Sequence, residues 1–333
     1  MAARQSAELV CPAGTPAALR AAVEAGAHAV YCGFRNETNA RNFPGLNFSE
    51  AELADGVAFA HAYGARVFVT VNTFARAGAV DLWRRAVDAA AAAGADAILA
   101  ADMAVLDHAA THHPDLRLHL SVQAAAGTPE AIGFYAKTFG IKRAVLPRVL
   151  SVEEIAKLNA EIDVETEVFV FGGLCVMAEG RCALSSYATG KSPNLTGVCS
   201  PPSHVEYAEE KGVLTARLGG FTIDRFAEGQ AAGYPTLCKG RFIANDCASH
   251  LFEDPVSLNA AELLVNLYRA GACAFKIEGR QRGKAYVALV VSAFRAAVDS
   301  LDDEEAAAEV SRRLAALTEG GRETSGAYRK MWR

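Results

Sequence analysis

With 333 residues, 51% of them hydrophobic and 21% charged, the chain is long enough for one large α/β domain or two ordinary ones, and its composition is that of a folded protein. A net charge of −5 argues against a wide grip on a nucleic-acid backbone, which takes basic residues clustered on one face. The densest basic stretch, Lys276 to Lys284, is short and suits at most a small anionic ligand.

The opening MAARQSAELV lacks the apolar segment of a secretory signal. The most apolar region, Ala86 to Leu106, is broken by Asp88, Asp96 and Asp102 and is too polar to span a bilayer. Both observations lead to the expectation of a cytoplasmic protein. In that reducing compartment eight cysteines are read as buried thiols or as ligands for a metal or cluster, not as a disulfide framework.

Taken in chain order, eight apolar runs read as buried parallel strands: Glu8–Ala13, Ala29–Gly33, Arg66–Asn72, Asp96–Asp102, Leu118–Gln123, Arg143–Arg148, Glu165–Gly172 and Ala274–Glu278. Helical periodicity lies between most of them, as in Glu50–Tyr63 and Trp83–Ala93. A repeated phrase, Gly-Ala-x-Ala, precedes three strands at Gly26, Gly94 and Gly271. Its glycine ends a helix and its small residues let helix and sheet pack closely. Eight alternating strands predict a (β/α)8 TIM-like barrel forming a single domain over 1–333, with a doubly wound open sheet as the alternative. About a hundred residues, 173–271, separate the seventh and eighth strands and read as an insertion rich in Gly and Pro with weak periodicity. Barrel enzymes place chemistry in loops after strand ends, so this insertion is where the site is expected. After the eighth strand, Ala285–Ser300 predicts an amphipathic helix, Asp302–Glu309 a solvated helix face, and the tail Ala327–Arg333 a basic, aromatic segment that docks on the domain or a partner.

The cysteines divide by context. Cys11, Cys32 and Cys273 sit among apolar strand residues and read as buried structural thiols; Cys247 reads as an incidental thiol in a polar loop. Cys175, Cys182, Cys199 and Cys238 sit among Gly, Pro and polar residues, with six, sixteen and thirty-eight residues between them. Small neighbours let backbone approach a bulky group, while Arg181 and Lys239 offset thiolate charge. Structural zinc sites usually bring ligands in pairs two to four residues apart, and no such pair exists here. Spacing by itself leaves a cluster, zinc and plain thiols all open.

Polar residues at strand ends supply the substrate-binding candidates: Asn39, Arg41, Asn72, Gln123, Arg148, Lys276, Glu278 and Arg280. On one barrel they would converge at one mouth, where Arg suits bidentate binding of a carboxylate. The competing reading is a salt-bridge network closing the barrel top. Glu179 and Arg181 either shield the thiol site or form a loop ion pair. His119 in its apolar strand, and His112 and His113 in a turn, read as structural or solvated and not as ligands. No residue stands out as catalytic.

The stretch Glu167 to Ser185, EVFVFGGLCVMAEGRCALS, resembles the signature of the collagenase-like peptidase family U32. So do Leu9–Gly14, Thr38–Phe43, Val145–Ser151, Gly233–Arg241, Ser257–Asn259 and Lys276–Arg282. The likeness runs almost end to end. It implies a 4Fe–4S cluster on Cys175, Cys182, Cys199 and Cys238. It further implies an oxygen-independent hydroxylase component of ubiquinone biosynthesis that forms a heterodimer with the related protein UbiV and works with the lipid carrier UbiT. The substrates implied are a quinone precursor and, as hydroxyl donor, prephenate; no nucleic-acid partner and no transmembrane segment are expected. Relatives that hydroxylate transfer or ribosomal RNA are the alternative, although they carry extra C-terminal domains and this chain ends soon after the barrel. A non-catalytic electron-transfer or scaffold subunit is the third reading. His-Glu-x-x-His, Gly-x-Ser-x-Gly, Walker and dinucleotide-binding motifs are all missing from the sequence, so neither peptidase chemistry nor a nucleotide cofactor is expected.

Overall fold

A computed structural model describes residues 7–196, 198–301, 304–318 and 322–329. Its first seven strands are β1 (Glu8–Pro12), β2 (Ala29–Gly33), β3 (Arg66–Val71), β4 (Ala97–Ala100), β5 (Arg117–Leu120), β6 (Arg143–Val145) and β7 (Glu165–Gly173). Every residue of β1 and β2 is buried, as strands covered on both faces require. The helices between them are α1 (Pro16–Glu24), α2 (Glu50–Ala62), α3 (Asp81–Ala92), α4 (Met103–His112), α5 (Pro129–Phe139) and α6 (Val152–Asn159). Ser49 and Ser151 open α2 and α6 with reciprocal capping boxes to Glu52 and Glu154. The glycines of the repeated phrase, Gly26, Gly94 and Gly271, have φ of 98°, 79° and 95°. Only glycine takes that conformation cheaply, and it turns each chain from helix into strand.

The insertion folds into more structure than its weak periodicity suggests. It holds α7 (Leu184–Thr189), α8 (Pro193–Thr196), a three-stranded antiparallel sheet of β8 (Val205–Glu210), β9 (Val213–Leu218) and β10 (Phe221–Phe226), and the hairpin β11 (Arg241–Ala244) with β12 (Cys247–His250). Cys247 therefore lies exposed on a hairpin strand and not in a loop. Each hairpin turns in two residues of positive φ: Lys211-Gly212, Gly219-Gly220 and Asn245-Asp246. That geometry matches the twist of the paired strands. Strand β13 (Ser257–Asn259) then adds antiparallel to β7, opposite Phe171, Gly172 and Gly173. Helix α9 (Leu264–Arg269) leads into β14 (Ala274–Ile277).

Strand β14 pairs in parallel with both β1 and β7, which closes a ring of eight parallel strands. The fold is thus a closed TIM-like barrel and not an open sheet. Helix α10 (Lys284–Asp299) packs on β1 and α1, and α11 (Glu304–Leu314) packs on α10. Tyr328 is buried and donates to the Phe169 carbonyl at 2.6 Å, so the tail through Arg329 docks on the domain; Lys330 to Arg333 lie outside the described residues. No helix among the described residues is long and apolar enough to cross a membrane.

The barrel interior departs from the apolar layers usual in this fold. Arg143, at the start of β6, reaches Glu8 at 2.6 Å, Glu165 at 2.8 Å and Glu167 at 3.2 Å. Glu167, fully buried, also holds Lys276 at 2.6 Å. Charged side chains thus run along the axis from the floor of the barrel toward its mouth. His119 lies beside them and accepts from Arg117 Nε at 3.0 Å.

Candidate functional site

At the C-terminal ends of the strands a cavity of about 1060 Å3 opens beneath the insertion. Cys175, Cys182, Cys199 and Cys238 all line it, and so do Arg41, Asn72, Gln123, Arg148, Lys276, Glu278 and Arg280. Seven of the eight strand-end candidates thus lie at this mouth. Asn39 is the exception: it is buried behind the wall, where its Oδ1 accepts from Arg280 Nη1 at 2.8 Å and from the Arg41 backbone N–H at 3.0 Å. There it braces Arg280 and the backbone at Arg41.

Arg280 is buried, and Nη1 donates to two neutral acceptors, Asn39 Oδ1 and Thr70 Oγ1, the latter at 2.9 Å. Burial pulls its guanidinium down to about 10. A buried cation bonded to neutral groups on the wall of a cavity is a ready receptor for a carboxylate. Lys276 lies 3.8 Å from the centre of the Tyr31 ring while its ammonium is held by Glu167; burial lowers its pKa against the opposing pull of Glu167. Asn72 accepts from the Ala40 N–H at 3.0 Å and donates to Ser121 at 3.1 Å, which fixes the loop that carries Arg41. Glu278 accepts from the Gly173 N–H at 3.1 Å and lies 3.5 Å from Arg41 Nε. Its carboxyl is lowered in pKa: burial acts upward, but Arg41 and Arg148 outweigh it.

The four cysteines arrive on separate segments that are tied to the barrel and to one another. Glu179, between Cys175 and Cys182, binds Arg148 at 2.5 Å, and both are buried. The ring of Phe169 supports the Arg148 guanidinium at 3.6 Å. Gly180, at φ 76°, presses on the Gln123 carbonyl so closely that a Cβ would lie 1.8 Å from its oxygen. Asn194 donates to the Cys182 carbonyl at 3.1 Å. The Cys199 and Cys238 segments are stitched by Ser200 Oγ to the Pro235 carbonyl at 2.7 Å and by Tyr234 OH to the Ser200 carbonyl at 3.0 Å.

Burial, then Glu179, pushes the Cys175 thiol up to about 12, and burial, then Cys199, pushes Cys238 up to about 11. Cys238 also feels Cys182, and Cys175 feels Cys238, so all four thiols are electrostatic neighbours. Such a donor set is suited to a soft metal centre, which would displace the protons. Two buried atoms beside it, Arg148 Nε and Glu179 Oε2, have no hydrogen-bond partner in the protein, and buried polar groups are rarely left so. The residues present therefore fit an iron–sulfur cluster. Cys11 and Cys32, by contrast, are buried in β1 and β2, and Cys273 donates to the Thr166 carbonyl at 3.4 Å, on the floor side of β14.

Sequence reasoning missed the partnership of Arg148 with Glu179, and it missed Thr70, Ser121 and Tyr31 in the cavity wall. The strand-end positions of Thr70 and Ser121 were a usable signal, since both follow the rule that picked out Asn72.

Comparison with known proteins bears on this site. The model of peptidase family U32 matches residues 14–328. The tRNA hydroxylation protein P1 of Bacillus subtilis is 31% identical over 294 residues, covering 88% of this chain and 63% of its own length. An uncharacterized protease of Methanocaldococcus jannaschii is 30% identical over 301 residues, 89% of this chain and 66% of its own. The 23S rRNA 5-hydroxycytidine C2501 synthase of Escherichia coli is 30% identical over 300 residues, 89% of this chain and 40% of its own. The chain thus spans less than two thirds of the length of each of these three relatives. With a match over nearly all its residues and the cysteine-bearing signature set at the barrel mouth, the chain belongs to peptidase family U32.

Proposed function

We propose that the chain is the iron–sulfur component of an oxygen-independent hydroxylase, acting on the ring of a ubiquinone precursor. The observation that carries this reading is a single cavity lined both by four cysteines and by the buried cations Arg148 and Arg280. Cys175, Cys182, Cys199 and Cys238 would hold a 4Fe–4S cluster, which supplies electron transfer when bound. Arg280, braced by Asn39 and Thr70, binds a carboxylate of the hydroxyl donor; a dicarboxylate such as prephenate would engage Arg148 or Arg41 as well. The motifs quoted above resemble those of the ubiquinone biosynthesis protein UbiU, and that resemblance supports UbiV and UbiT as partners and the cytoplasm as the place of work.

The composition of the insertion favours this acceptor over a polyanion. The insertion carries ten acidic and eight basic residues, and its exposed large side chains include Tyr187, Phe221, Ile243 and Phe252. A phosphate backbone calls for a basic track instead. The names of the relatives favour a second reading, in which the acceptor is a base of tRNA or rRNA, and they stand against the expectation of no nucleic-acid partner.

Anaerobically purified chain is expected to be coloured and to hold about four irons and four sulfides. A strain lacking it, grown without oxygen, is expected to lose ubiquinone while its hydroxylated nucleosides persist. Loss of those nucleosides with quinone intact would replace the first reading by the second.

A further inference from the structure

On the outer wall of the barrel, helices α3 and α4 bring together a second group of ligating side chains. Asp88 lies on α3, His108 on α4, and His113 is the residue that ends α4. His113 leaves helical geometry, with φ −133° and ψ 62°, and its ring turns back to Asp88. Nε2 of His108 and Nε2 of His113 lie 2.8 and 2.7 Å from the same oxygen of Asp88. All three ligand atoms fall within 4.8 Å of one another. The ring of His112 stacks on His108 at 4.2 Å, with the planes 26° apart, which fixes the ring that must present its nitrogen.

We propose that Asp88, His108 and His113 form a binding site for a borderline divalent cation such as Zn2+, separate from the thiol-lined cavity. Two imidazoles and a carboxylate are the ligand types that zinc takes at 2.0–2.2 Å, and thiolate-seeking ions have no sulfur here. Half of Asp88 is exposed, so water completes the coordination. An ion held by these three residues would bridge α3 to the end of α4 and clamp the two helices together. The plainer arrangement, two ring N–H groups donating to one carboxylate oxygen, needs no ion, and the test separates the two.

The full chain, stripped with a chelator, is titrated with Co2+ and followed by its visible and near-ultraviolet absorption. Cobalt held by His and Asp shows weak visible bands and lacks the intense near-ultraviolet charge transfer of thiolate ligation, so the two sites report separately. The expected result is one ion per chain with the thiol-free spectrum, weakened about 100-fold or more by Asp88→Asn or His113→Gln, beyond the 10–100-fold cost of losing an outer-shell partner. Zn2+ should compete for the same site and raise Tm. Two variants on different elements guard against a folding defect in either one. Cobalt showing only thiolate charge transfer, or full thiol-free binding in both variants, would overturn the proposal, as would no binding at all.

Discussion

Arg148 and Glu179, thirty-one residues apart in sequence, meet at 2.5 Å beside Cys175, both buried and each keeping one buried polar atom without a protein partner. The pair fastens the doorway of the insertion to the end of β6. It also places a fixed charge of each sign next to the thiols.

Removing one member leaves an uncompensated buried charge, which costs about 3–5 kcal/mol. Glu179→Ala and Arg148→Ala are each expected to lower stability by that order in urea denaturation, and to lower the iron retained after anaerobic purification. A double variant no worse than either single one would confirm that the two act as a unit. Additive losses would mean that they act apart.

The division of the cysteines predicts different fates for two thiols. Cys182→Ala is expected to abolish the visible chromophore and the bound iron. Cys273→Ala removes a thiol that bonds Thr166 at the floor of the barrel and should keep both. Equal loss in the two variants would undo the division.

Gly180→Ala tests the cradle. A side chain there meets the Gln123 carbonyl and must also adopt φ 76°, a conformation costly for residues other than glycine. Far-ultraviolet circular dichroism should stay that of the native barrel while iron content falls. Full iron loading would show that the doorway loop does not need this approach.

His119 predicts acid sensitivity. Burial first, then Arg143, Arg117, Lys276 and Arg66, holds its pKa well below the ordinary 6.5. The folded state therefore keeps it neutral while the unfolded chain takes up a proton. Stability is complete above pH 6.5 and falls as pH drops below it, by at most about 1.4 kcal/mol per pH unit from this group. His119→Gln should flatten that part of the stability–pH curve; an unchanged slope would assign the loss to other groups.

The barrel was legible because strands buried on both faces read as continuous apolar runs, and β2 has the predicted bounds, Ala29–Gly33. At β4 the observed strand is shorter than the predicted Asp96–Asp102, for a physical reason. Asp96 accepts from the Val67 N–H at 2.7 Å, and Asp102 caps α4, so each aspartate turns the chain at one end. The insertion hid its sheets because β8, Val-Glu-Tyr-Ala-Glu-Glu, has no buried residue and carries glutamate on both faces. Only the paired turn residues, such as Gly219-Gly220 and Asn245-Asp246, carried the hairpin signal. Four of the cysteines were separable by their neighbours, yet the Glu179 partner and the His108–Asp88–His113 group could not be read. Each depends on which helices and strand ends the closed ring makes neighbours.

Strand β14 closes the ring by pairing with β1 and β7 together, and this sets the order in which the molecule can be completed as it leaves the ribosome. Seven barrel strands and all four cavity thiols are synthesised before the segment that seals the cylinder. Ala274 follows Cys238 by thirty-six residues. Until β14 pairs the ring has a gap between β1 and β7, and Lys276, Glu278 and Arg280 reach the cavity only with that strand. Ring closure and the arrival of these three side chains at the cavity are one event.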